Sequence, residues 1–151
     1  EAPLTQHTGQ VEDNWYYLYV VIEEMYQYRF LYHNLDNLLQ RYPDIDRRFK
    51  RLIQLKRASL YSICQTLLDQ AVIDTRDQQL LGLVDNMTLT LTFWFNYDRL
   101  LNEEHPPQVI IHGGVLQLLT MVAPYLGDVE LDFYRDCQDI YRTMLARDDE
   151  S

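Results

Sequence analysis

Asn86-Met-Thr-Leu-Thr-Leu-Thr-Phe-Trp-Phe-Asn-Tyr-Asp-Arg-Leu-Leu101 is the stretch whose reading decides the fold. It has no charge between Asp85 and Asp98, and its bulk is aromatic and aliphatic on every side. Taken with period two, Leu89-Thr90-Leu91-Thr92-Phe93 fits a half-buried strand. The flanks decide against it. From Asp77 to Asn102 there is no proline and a single glycine, Gly82. Such a run is far longer than an ordinary strand, so the pattern predicts a helix. A helix that is apolar all round must be buried all round. In a chain of this size one side can face its own core and the other a second molecule, which predicts a dimerising helical domain.

The composition agrees with an all-α fold. The 151 residues include only 5 Gly and 5 Pro, 12 Tyr, and 47% hydrophobic residues. Few breakers and long periodic segments favour a helical bundle over a sheet. The length suits one domain. The formal net charge of −10 opposes non-specific binding to nucleic acid or to an anionic membrane surface. No uninterrupted apolar run reaches membrane-spanning length, and no segment resembles a signal peptide. Cys64 and Cys137 sit among apolar residues without CxxC spacing, as buried reduced thiols would.

Working outward, residues 1–10 have Pro3, Gly9 and no periodicity, and read as a linker or frayed end. A first helix is predicted over 11–32, with Trp15, Leu18, Tyr19, Ile22, Met25 and Tyr26 on one face. A short helix over 35–42 stops before Pro43. The next, from Asp44 to Val72, is basic in its first half: Arg41, Arg47, Arg48, Lys50, Arg51, Lys56 and Arg57 are seven of the chain's thirteen Lys and Arg. After the helix at 77–102, Pro106-Pro107 is a stop. Helix 108–126 is apolar on nearly all sides yet carries Gly113-Gly114, each about 1 kcal/mol less favourable than alanine. Close approach of another helix is the expected compensation. A last amphipathic helix spans 129–147, and 148–151 read as a disordered tail. The result is one domain, 11–147, an antiparallel bundle of about six helices.

Catalytic motifs are missing. The four histidines (His7, His33, His105, His112) form no HExxH and no Glu-x-x-His pair. There is no GxGxxG, P-loop or GxSxG. No catalytic residue, metal or cofactor is assigned, and no enzyme activity is expected.

Tyr28-Arg29-Phe30-Leu31-Tyr32-His33-Asn34-Leu35, then Leu38-Leu39-Gln40-Arg41-Tyr42-Pro43 and Arg48-Phe49, resemble the ligand-binding and dimerisation domain of TetR-family transcriptional regulators. Thr92-Phe93-Trp94-Phe95-x-Tyr97, Gly114-Val115-x-Gln117 and Ala123-Pro124-Tyr125-Leu126 continue the resemblance in the same order, over roughly 11–127. It implies a homodimer in which helices 77–102 and 108–126 pair with their symmetry mates as a four-helix bundle, over an interface of roughly 2,000 Å² or more. Phe95, Gly113, Gly114, Leu118 and Met121 are the interface candidates. It also implies a pocket for a mostly apolar small effector among the 11–32, 44–72 and 77–102 helices. Trp15, Tyr19, Tyr26, Tyr61, Cys64, Phe93, Asn96 and Tyr97 are the candidate lining. Each of those side chains would serve equally well as core filling, and a cavity is what separates the two roles. The family's N-terminal helix-turn-helix domain does not match any part of this sequence, so contact with DNA is expected only through a domain absent from this chain, in a cytoplasmic regulator. The alternative is a structural helical dimerisation or adaptor module with no small-molecule ligand.

Overall fold

The computed structural model describes residues 11–101 and 105–150. The expected linker 1–10, residues 102–104 and Ser151 lie outside the described residues. The remainder forms seven α-helices: α1 (Val11–Gln27), α2 (Arg29–His33), α3 (Leu35–Arg41), α4 (Pro43–Asp69), α5 (Asp77–Leu101), α6 (Pro107–Val122) and α7 (Asp128–Asp149). A 3₁₀ turn, Ala123–Tyr125, follows α6.

The threonines explain how a period-two sequence sits in α5. Thr88 Oγ1 donates to the Val84 carbonyl at 2.8 Å, and Thr92 Oγ1 to the Thr88 carbonyl at 2.7 Å. These bonds reach back four residues, which only a helix offers, so the buried hydroxyls need no other partner. Between them Leu80, Leu83, Val84, Met87, Leu91 and Phe95 form the inner face.

Helix α6 is the centre of the bundle, packing against α1, α5 and α7, while α4 covers another side of α5. Much of its near-continuous apolar surface is therefore buried within one protomer, while Ile110, Leu116 and Met121 stay half-buried. Val109, Ile111, Val115, Leu118, Leu119 and Val122 are all buried. By length and mean hydropathy Pro107–Tyr125 would suffice to cross a membrane (19 residues, 1.2). Its packing on three sides is that of a core helix instead. Helix α7 has no buried residue and lays half-buried Leu131, Phe133, Tyr134 and Cys137 on the core.

Local chemistry sets the ends. Pro43 opens α4, and Tyr42 before it is extended (φ −127°, ψ 93°), as a residue preceding proline prefers. Helix α4 stops at Asp69, short of the expected Val72, because Ala71 takes a left-handed conformation (φ 57°). Its Val72 N–H then reaches back to the Leu67 carbonyl at 2.8 Å. That position normally carries glycine. Ala71→Gly is accordingly expected to stabilise the fold by about 1 kcal/mol, since exposed Ala71 loses nothing else; urea unfolding measures it. At the other end, α7 continues through Asp149, two residues past the expected end of the helix at 147.

Candidate functional site

The expected first helix, 11–32, is broken at Tyr28 (φ −109°, ψ 22°) without a proline or glycine. The Tyr28 N–H bonds to the Met25 carbonyl at 3.0 Å, tightening the last turn of α1. The break leaves α1 with outward carbonyls carrying partial negative charge. Arg29 meets them: its Nη1 donates to the Tyr26 carbonyl at 3.2 Å. The same guanidinium lies 4.3 Å from the Tyr26 ring centroid and 4.7 Å from that of Phe30. Two aromatic faces thus hold one cation at the start of α2.

That cation borders a cleft of about 440 Å³ between the α1–α2 break, α5 and the start of α6. Tyr26, Phe30, Phe95 and Ile110 give it apolar walls, and Arg29, His33, Asp98, Arg99 and His105 give it charge or titratable groups. Phe95 meets Tyr26 edge-on, centroids 6.0 Å apart. Asp98 is only 6% exposed. Its Oδ1 lies 3.4 Å from His105 Nδ1, and its charge helps hold the Tyr141 hydroxyl above its ordinary pKa, after burial. Burial, then the Arg99 and Arg29 charges, hold the His33 imidazole below its ordinary value. The arrangement offers an amphipathic guest both an apolar wall and fixed charge.

The eight residues expected to line one pocket are not brought together. Tyr26 alone borders this cleft. Asn96 sits beside it in two shallower hollows, shared with His33 and, in one, Arg99. Its Nδ2 donates to the Tyr32 carbonyl at 3.0 Å, and its buried Oδ1 has no hydrogen-bond partner among the described residues. Phe93 and Tyr97 point outward from α5 and, with Leu89, Trp94 and Gln117, line an outer groove of about 310 Å³. Trp15 and Tyr19 stack at 5.5 Å and both meet the His112 ring, whose pKa burial lowers. Tyr61 is exposed on α4. Cys64 is fully buried, its Sγ 3.9 Å from Met87 Sδ, and is core.

Four of the five expected interface residues lie inside the protomer. Phe95 and Leu118 are core, and Gly113 and Gly114 are buried. The close approach at the glycines comes from the chain's own rings: a Cβ on Gly113 would lie 2.9 Å from the Tyr141 hydroxyl, and one on Gly114 2.9 Å from Trp94 Cδ1. Met121, half-buried, has its Sδ 3.7 Å from Thr90 Oγ1. Among the apolar side chains left uncovered, Leu89, Phe93, Tyr97 and Leu100 lie together on α5.

Sequence reasoning passed over Arg29, His33, Asp98, Arg99 and His105. A signal existed for two of them: Asp98-Arg99 ends the uncharged run that begins after Asp85, and charges abutting an apolar stretch must find solvent or partners. Burial also pushes the Cys64 thiol up to about 11. With almost no thiolate at pH 8, Cys64 should react with a disulfide reagent at least 100-fold more slowly than an ordinary thiol. Half-buried Cys137 supplies the faster phase. Two equally fast thiols in the native state would contradict this core packing.

Residues 1–142 match a family model described as TetR, bacterial transcriptional repressor. No curated protein matches the chain. Among solved structures, a TetR-family transcriptional regulator from Marinobacter aquaeolei VT8 is similar, with a TM-score of 0.75 and 22% identity, over 87% of this chain and 63% of that one. At that identity the likeness establishes the fold, and the chain spans 63% of that regulator's length.

Proposed function

The chain belongs to the TetR family of bacterial transcriptional repressors, and from that premise we propose that it is the effector-sensing and dimerising part of a cytoplasmic regulator. The observation that carries the sensing role is the cleft of about 440 Å³ at the α1–α2 break, with aromatic and charged walls. Its guest is a small, mostly apolar molecule, for which Tyr26, Phe30, Phe95 and Ile110 form the wall. Asn96, with its unpartnered Oδ1 beside the cleft, is the group that would accept a donor from such a guest. The partner of the exposed α5 stripe is a second copy of the chain. DNA is contacted by a helix-turn-helix domain outside these residues, and the regulator does no chemistry on its effector.

The cleft is also placed for signalling. Helix α2 supplies Arg29 and His33 to it, and only Asn34 separates α2 from α3. Helix α3 buries only Leu35 fully and packs chiefly on α4, with a smaller contact to α2, so it is joined to α2 by both chain and contact. A guest that binds one position of α2 better than another shifts α3 with it; equal affinity for both would shift nothing.

The neutral, apolar fluorophore N-phenyl-1-naphthylamine tests the sensing role. It should bind saturably at one site per protomer. Ile110→Trp, which fills the cleft, should abolish that binding while leaving the helical circular dichroism unchanged. Absence of saturable binding, or binding indifferent to Ile110→Trp, would overturn it.

A further inference from the structure

The cleft at the α1–α2 break is positive in a negative chain. The whole sequence has a formal net charge of −10, and seven of its thirteen Lys and Arg lie on α4 or, as Arg41, just before it. Yet among the described residues two arginines and two histidines border the cleft against one carboxylate, Asp98. That carboxylate is already engaged. It is 6% exposed, with His105 at 3.4 Å, and its field falls on Tyr141. With both imidazoles neutral the described residues that border the cleft carry one net positive charge.

The two guanidiniums differ in use. Arg29 is held in place by the Tyr26 carbonyl and by two rings. One bond to that carbonyl engages a single edge of a group with five N–H donors. Arg99, exposed on α5, borders both the cleft and the hollow it shares with His33 and Asn96. His33 lies within the field of both, which disfavours a third cation there. Three basic groups against one buried carboxylate among the described residues leave a positive potential that a bound carboxylate would relieve.

We propose that the cleft takes an organic anion, with a carboxylate head on Arg29 and Arg99 and an apolar or aromatic tail along Phe95 and Ile110. The planar fork of Arg29 suits a carboxylate in two-point contact, which a lysine could not make. This rests on the cleft being the effector site, and it narrows the effector from apolar to anionic and amphipathic.

Displacement of N-phenyl-1-naphthylamine from the full chain separates the two ideas. Decanoate, decanol and decyltrimethylammonium share a tail and differ in head charge. Decanoate below its micellar concentration should displace the fluorophore at concentrations at least tenfold lower than either of the others. Arg99→Gln, a change at an exposed side chain, should remove most of that preference. Arg29→Gln should also remove most of the preference, and Arg29→Lys should recover only part of it. If decanol displaces as well as decanoate, or the preference survives Arg99→Gln and Arg29→Gln together, the anionic assignment is overturned while the cleft stands as an apolar effector site. If the fluorophore itself does not bind at the cleft, the sensing role and the anionic assignment fall together.

Discussion

Gly114→Leu is expected to destabilise the protomer by about 3 kcal/mol, the upper end of what overpacking a core costs. A Cβ at Gly114 already lies 2.9 Å from Trp94 Cδ1, 3.0 Å from Nε1 and 3.2 Å from Ile22 Cδ1. The Trp94 ring cannot simply swing aside, because its Nε1 donates to the Ile110 carbonyl at 2.8 Å. Moving it would break that bond and open space beside fully packed Ile22. The gain in helix propensity over glycine, about 1 kcal/mol, is smaller than the clash. Gly82→Ala is the control. Nothing lies within 4 Å of its Cβ position, so there the propensity gain of up to about 1 kcal/mol should appear undiminished. Urea unfolding of both variants measures the contrast, and equal stability changes would mean that Gly114 is not packed as described.

Leu89→Asp combined with Phe93→Asp is expected to raise the Kd for self-association at least 100-fold. Leu89 is 60% exposed and Phe93 42% in the protomer, so the substitutions leave its core intact. Together with Tyr97 and Leu100 they form one stripe, since positions 89, 93, 97 and 100 fall on the same side of a helix. The outer groove of about 310 Å³ along this stripe is lined by Leu89, Phe93 and Tyr97 with Gln117 of α6. Buried apolar anchors of an interface cost about 2 kcal/mol or more each when lost. Light scattering across a concentration series should show the native chain as a dimer and the double variant as a folded monomer. A double variant with unchanged association would move the interface off α5.

The helices were legible where the physics is local. The absence of breakers from Asp77 to Asn102 was enough to make α5 a helix, and Pro43 and Pro106-Pro107 marked boundaries the structure keeps. The break at Tyr28 was not legible, because it has neither glycine nor proline; a cation placed three residues beyond Tyr26 holds it instead. Ala71 was equally silent, since the left-handed turn it adopts usually announces itself with glycine. The larger gap concerned what covers an apolar helix. Pattern alone cannot tell a partner's side chain from the chain's own, and Trp94 and Tyr141, which fill the space beside Gly113 and Gly114, come from α5 and α7. Helix α6, read as a surface for a second copy, packs on three helices of its own protomer, and its Gln117 also lines the outer groove. For the candidate site, aromatic type was a poor guide. Tyr26 reached the cleft, but Trp15, Tyr61 and Cys64 went to other surfaces or to the core. The charged groups that distinguish the cleft are brought together from α2, α5 and the segment before α6, at sequence separations no local motif records.

Hydrogen exchange of the full chain with and without saturating N-phenyl-1-naphthylamine tests the sensing role most directly. Expected is slower exchange at the α1–α2 break and through α3, residues 26–41, with α6 at the centre of the bundle unchanged. Protection confined to the outward stripe of α5, with none at 26–41, would contradict it.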